Sequence, residues 1–277
     1  MNPVAAFAAA AMLFGSPDPA TRFVPRTVRA GETAVLVFTR TTGFRHESIP
    51  DAIAAVRRLG TENGFPVDAT EDPSAFTDVH LAPYRAVLFL LTTGDVLGED
   101  EQAAFERWIR SGGGWVGVHS ATDTEYEWPF YRQLAGAYFA GHPEIQPAAV
   151  HVEDRAHPAT SAVPENWPRT DEWYNFRANP RERVHVLATV DETTYSGGSM
   201  GADHPIAWCQ EFAGGRAFYT AGGHTRESWA EPLFLAHVAG GIRWAAGIES
   251  GFCGEIQRSV PRRVAPRSAP RLVTPRN

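Results

Sequence analysis

The sequence contains no lysine; all 25 basic residues are arginine. A Schiff-base lysine and a phosphate-loop lysine are therefore both excluded. Cysteine is nearly absent too. Two residues, Cys209 and Cys253, do not make a disulfide framework, and Cys209, inside the apolar run IAWCQEF, reads as a buried free thiol. There is no dinucleotide fingerprint, so no nucleotide cofactor is expected. Zinc-finger and HExxH spacings are also missing. The apolar run Val4–Gly15 is too short to span a membrane. It could be a signal-peptide core, but it lacks a basic n-region and a small-x-small cleavage site. Residues 1–31 are accordingly set apart as a leader, and location, cytoplasmic or secreted, stays open.

Charge is unevenly placed. Six arginines and no acids lie between Arg258 and Asn277; removing them from the formal net charge of −7 leaves the preceding residues at −13. An acidic body argues against a nucleic-acid partner. The segment 249–277 is rich in proline and arginine, lacks periodicity, and reads as a disordered tail.

Between residues 32 and 248 the pattern is that of one α/β domain. AVLVFT (34–39) and AVLFLL (86–91) are continuous apolar runs of the kind buried in parallel sheets. PVDAT (66–70) is a shorter strand. Ile49, Ile53, Val56 and Leu59 recur at helical spacing up to Gly64, and a second amphipathic helix occupies 99–114. This alternation implies βαβ units in a doubly wound, mostly parallel sheet. Strands are expected at 148–154 and 184–190, a hairpin at 206–212 and 216–222, and a last helix at 231–247. No internal repeat is visible, and oligomerisation stays open.

The stretch GGGWVGVHSATDTEYEW (112–128) has the layout of a nucleophile elbow, a sharp strand-to-helix turn that lifts one side chain above a sheet. Its presented residue is His119, a poor covalent nucleophile but a good base and metal ligand. Ligands of open parallel sheets bind at the carboxyl ends of the strands. On that edge the chain delivers Arg45, His46 and Glu47 after the first strand, Thr93 and Asp95 after the third, His119 at the elbow, and His224 after the last. His142 and His204 stand in loops before proline, where backbone geometry alone could explain them. Glu172, beside Trp173 and Tyr174 in a long irregular connection, could orient a hydroxyl, act as a base or complete a metal shell. Trp128, Trp173 and Trp229 could wall a sugar site or simply be core. Neutral imidazoles with a carboxylate suit zinc and related divalent ions; His119, His142 and His224 are the first candidates as ligands.

TGFRHESI, GGGWVGVHSATDT, YFAGHPE, AHPAT, DEWYNF, DHPIAWC and GRAFYTAGGHTRESW together resemble the trehalose-utilisation (ThuA-like) family over about residues 33–247. That family is a branch of the class I glutamine amidotransferase-like fold, a flavodoxin-like three-layer architecture. The resemblance implies that His119 replaces the catalytic cysteine of the amidotransferases, so that thiol ester chemistry is lost. It also implies a small-molecule carbohydrate partner, particularly a disaccharide or glycoside first oxidised to a 3-keto sugar. Catalytic roles are then expected for His119, Glu172 and His46. Substrate contacts are expected from Arg45, Glu47, Thr93, Asp95, Trp173, Tyr174, His204 and Trp229. A non-catalytic sugar-binding domain is the competing reading. Deleting residues 258–277 is expected to lower the melting temperature by less than about 4 °C, roughly 1 kcal/mol for a domain of this size; a larger fall would show that the segment docks.

Overall fold

The computed structural model describes residues 23–24 and 33–254. Apart from residues 23–24, the expected leader lies outside the described residues, as does the arginine-rich segment from residue 255.

A nine-stranded sheet runs through the molecule in the order β2-β1-β3-β4-β11-β10-β9-β6-β7. Its parallel half comprises β1 (Ala34–Phe38), β2 (Val67–Thr70), β3 (Tyr84–Leu90), β4 (Gly114–Val118) and β11 (Gly215–Thr220). The other half, β6 (Gln146–Val152), β7 (Asn166–Asp171), β9 (His185–Val190) and β10 (Pro205–Phe212), is antiparallel. Every residue of β1 and β4 is buried. That is the expected consequence of covering a parallel sheet on both faces.

One cover is α1 (Ile49–Asn63) with α5 (Pro232–Ala245), which pack on each other. The opposite cover includes α3 (Glu99–Arg110) and α4 (Pro129–Ala135). There Phe105 and Tyr131 meet Phe89, which is itself in contact with Phe38 and Trp115. The short α2 (Asp78–Leu81) leans on α3. On the first face α5 comes so close that a Cβ at Gly114 would lie 2.1 Å from the carbonyl oxygen of Ala245. Glycine is required at that point of the elbow strand by contact alone. The β10–β11 hairpin turns through Ala213 and Gly214, both at positive φ, as a two-residue connection matching strand twist requires.

The connection read as irregular contains β7. β7 is the edge of the sheet, where Pro168 removes no ladder bond that the fold needs. A separate two-stranded pair, β5 (Phe139–Gly141) with β8 (Asn175–Phe176), pins the following loop against the chain after β7.

Two expectations are overturned. Cys209 is not a free thiol: it forms a disulfide with Cys253, Cα–Cα 5.7 Å. The chain also stays on the fold past residue 248. Trp244 Nε1 donates to the Gly251 carbonyl, and Cys253 is buried. After α5 the chain turns back beside β10, a tertiary path that a spacing of 44 residues could not announce. A loop of that size is stabilised by about 4 kcal/mol in the chain-entropy limit. Replacing both cysteines by serine is expected to lower the melting temperature by roughly 5–15 °C. The same variant should keep the wild-type activity, because neither sulfur stands at the elbow. An unchanged melting curve in the presence and absence of reductant would contradict the crosslink.

Candidate functional site

Strand order reverses between β1 and β3, the place where doubly wound sheets form their ligand crevice. His46 follows β1, His119 follows β4 and His224 follows β11, and the three rings meet at that edge. Their centroids form a near-equilateral triangle of 4.9, 5.0 and 5.1 Å.

His119 has φ +53°, the conformation an elbow imposes on its presented residue. Its carbonyl accepts from Tyr219 Oη at 2.8 Å, and its ring lies 4.1 Å from that of Tyr174. Nδ1 is 2.7 Å from the carbonyl oxygen of Ala221. A carbonyl only accepts, so Nδ1 carries a proton, and in that tautomer Nε2 is the atom left for a ligand.

That atom does not face a donor of its own. His119 Nε2 lies 3.3 Å from Glu172 Oε2 and 3.1 Å from His224 Nδ1, and the latter two are 3.1 Å apart. A single proton on His224 Nδ1 cannot relieve all three contacts. His46 adds a third imidazole, 4.9 and 5.0 Å ring to ring from the other two, and its Nδ1 is buried with no hydrogen-bond partner. Ligand atoms of His46, His119, Glu172 and His224 all fall within 4.8 Å of one another. A tetrahedral zinc with bonds of about 2.0–2.1 Å holds its ligand atoms about 3.3 Å apart. The donor set and its spacing thus fit a divalent cation.

The electrostatics point the same way. Burial, reinforced by the neighbouring His119 and His224, lowers His46 to about 2, so it is a neutral imidazole. For Glu172 burial acts upward, but contacts with His119 and His224 and their charge outweigh it, holding the carboxyl well below the usual carboxylate range. His224 is also opposed by burial, yet the Glu172 carboxylate raises it.

The loops carrying these groups are fastened by a residue the sequence did not single out. Asp171 is wholly buried. Its carboxylate accepts from the backbone N–H of Glu172, Gly223 and His224 at 3.0, 2.8 and 3.1 Å, and from Ser228 Oγ at 3.0 Å. Arg169 pairs with it at 2.9 Å. Ser48 Oγ ties the start of α1 to the carbonyl of His224 at 2.6 Å.

The remaining candidates divide. His142 is not in the four-residue group; it is 42 % exposed, and its Nδ1 contacts the other oxygen, Glu172 Oε1, at 3.0 Å. The β5–β8 pair brings it there. Tyr174 is buried behind His119. Glu47 stands at the rim, 90 % exposed. Arg45 is engaged by Glu71 at 2.6 Å, and Asp95 is exposed. Thr93 is buried and donates to the Phe44 carbonyl at 2.7 Å. His204 is buried behind the site, between Glu192 Oε1 and the Tyr174 carbonyl, both at 2.8 Å. Trp128, Trp173 and Trp229 are core side chains that leave no face for a sugar. Trp229 serves the site indirectly, donating to the carbonyl of Gly223 at 2.9 Å.

Solved structures share this architecture. A ThuA-like protein from Bacteroides uniformis ATCC 8492 superposes with a TM-score of 0.66 at 24% identity, over 80% of this chain and 95% of that one. A second, from Parabacteroides merdae ATCC 43184, gives 0.67 at 20% identity over 79% and 91%. A cytoplasmic protein of Salmonella typhimurium LT2 gives 0.53 at 14% identity over 78% and 98%. No curated protein sequence matches the chain. The sequence model described as ThuA, trehalose utilisation, matches residues 34–245. That span includes all four clustered side chains, and the chain belongs to the ThuA family.

Proposed function

We propose that the protein is a carbohydrate-processing enzyme that cleaves oxidised, 3-keto glycosides or disaccharides at a cation-assisted histidine centre. The observation that carries this reading is the convergence of His119 Nε2, His224 Nδ1 and Glu172 Oε2 within 3.1–3.3 Å, in a group completed by the buried His46 ring, whose Nδ1 has no hydrogen-bond partner. The carbohydrate role follows from the family.

His46, His119, His224 and Glu172 would hold the cation, zinc being the first candidate for three imidazoles and one carboxylate. Such an ion supplies fixed positive charge where an oxygen becomes negative. The protein's own groups supply the rest. A ketone at C3 acidifies the proton on C2. His142 is suited to remove it: Nδ1 lies between two acceptors, Glu172 Oε1 and the Pro143 carbonyl, each at 3.0 Å. Nδ1 therefore donates and Nε2 is left as the base. Removal of the C2 proton puts the electron pair on O3. Its return expels the leaving group from C1, which departs with a proton. Water then adds at C1, C2 regains a proton, and the net reaction is hydrolysis. Glu172 connects both tasks, one oxygen in the cluster and the other on His142.

The purified protein is expected to contain about one equivalent of divalent metal, lost in His119→Ala. In deuterated water it should wash out the C2 hydrogen of a 3-keto disaccharide, and His119→Ala should not. Full activity in metal-free protein would refute the cation. Cleavage of the unoxidised disaccharide at an equal rate without exchange would refute elimination. Saturable sugar binding without exchange or cleavage would select the non-catalytic reading.

Asp171 touches none of the reacting atoms and is a positioning residue. Asp171→Asn leaves Arg169 with Glu231 alone as a carboxylate partner, so a stability loss short of the about 3–5 kcal/mol of a fully stranded buried charge is expected. Metal affinity should weaken by about 10–100-fold. Asp171→Glu should restore part of the affinity. A purely structural role would lower stability and leave metal affinity unchanged.

A further inference from the structure

Six large apolar side chains are strongly exposed among the described residues, and two of them, Phe44 (65 %) and Ile145 (46 %), share one cleft. The cleft, about 360 Å³, is also lined by His46 and His224. It therefore opens from the histidine cluster outward. Scattered apolar residues on a surface need no explanation; a pair bracketing the mouth of a polar centre does.

Both side chains stand on fixed backbone. Thr42 N–H donates to the Thr93 carbonyl at 2.9 Å, and Thr93 Oγ1 donates to the carbonyl of Phe44 itself at 2.7 Å. The Phe44 ring meets His46 edge-on, centroids 4.9 Å apart. Ile145 adjoins Gln146, whose carbonyl accepts from Trp173 Nε1 at 2.9 Å. An exposed ring on an ordered loop is a pre-organised platform, because little further entropy is lost when a ligand lies on it. Glu47 and Arg226 are among the polar groups of the lining, suited to hydroxyls.

We infer that this cleft seats the leaving group, and that Phe44 and Ile145 select substrates whose leaving group is a ring with an apolar face. The inference rests on the function proposed above. The reacting sugar occupies the histidine end, and the group released from C1 lies between Phe44 and Ile145. An aryl ring and the C–H face of a second pyranose offer the same surface; a methyl group does not.

The test compares 3-keto phenyl glucoside, a 3-keto disaccharide and 3-keto methyl glucoside in wild type, Phe44→Ala and Phe44→Trp. Wild type should prefer the two ring-bearing substrates in kcat/KM. In Phe44→Ala that preference over the methyl glycoside should fall about tenfold, equivalent to about 1.4 kcal/mol, and Phe44→Trp should retain it. A preference for phenyl alone would identify an aryl leaving group, and one for the disaccharide alone a second sugar. A ratio that changes less than twofold in Phe44→Ala overturns the inference while leaving the reaction intact. If wild type turns over none of the three, the proposed reaction fails. Calorimetric affinities for the same glycosides then decide: loss of ring-selective binding in Phe44→Ala supports the platform, and equal affinities overturn it.

Discussion

A single buried carboxylate holds the two halves of the site in register. Asp171 ends β7 at the far edge of the sheet, while Gly223 and His224 follow β11 near its middle. A buried charge is tolerated only when paired and hydrogen-bonded. Three backbone N–H groups, Ser228 Oγ and Arg169 meet that demand here. Arg169 is itself buried, lies over the Trp167 and Phe234 rings, and reaches Glu231 at 3.1 Å. Any shift of the His224 loop relative to Glu172 would strand one of these groups, so the spacing of the cluster is set by the cost of an unpaired charge.

The elbow illustrates how a strained backbone position is held for one particular side chain. A positive φ at a residue with a Cβ is strained whatever the side chain. At His119 the surroundings impose it: Tyr219 binds the carbonyl and the Ala221 carbonyl binds Nδ1. An imidazole gains from this frame what a thiol could not, a fixed tautomer with the second nitrogen aimed at Glu172 and His224.

The parallel half of the fold was legible because a strand buried on both faces must be apolar throughout, as AVLVF and AVLFLL are. The three histidines were legible because such a sheet exposes its ligand edge at known positions. β7 was not, since its alternating N-W-P-R-T-D carries a proline and polar outward residues that read as loop. With the strand went Asp171, whose role exists only once β7 and β11 are placed. The tryptophans misled because composition cannot distinguish a ring that lines a pocket from one that fills a core. Cys209 misled for a similar reason: its partner arrives by the path of the chain after α5.

The four clustered side chains are drawn from residues 46, 119, 172 and 224, with no two close enough in sequence to chelate together. An unfolded or half-folded chain thus offers a cation nothing better than isolated imidazoles and carboxylates. Whatever binds the assembled cluster binds the native state alone, and mass action then transfers the full affinity to folding, about 2.7 kcal/mol at a hundredfold excess over Kd. If that occupant is the proposed cation, the melting temperature of this protein would report the free ion concentration around it. A chelator would act as a denaturant without touching any surface of the molecule.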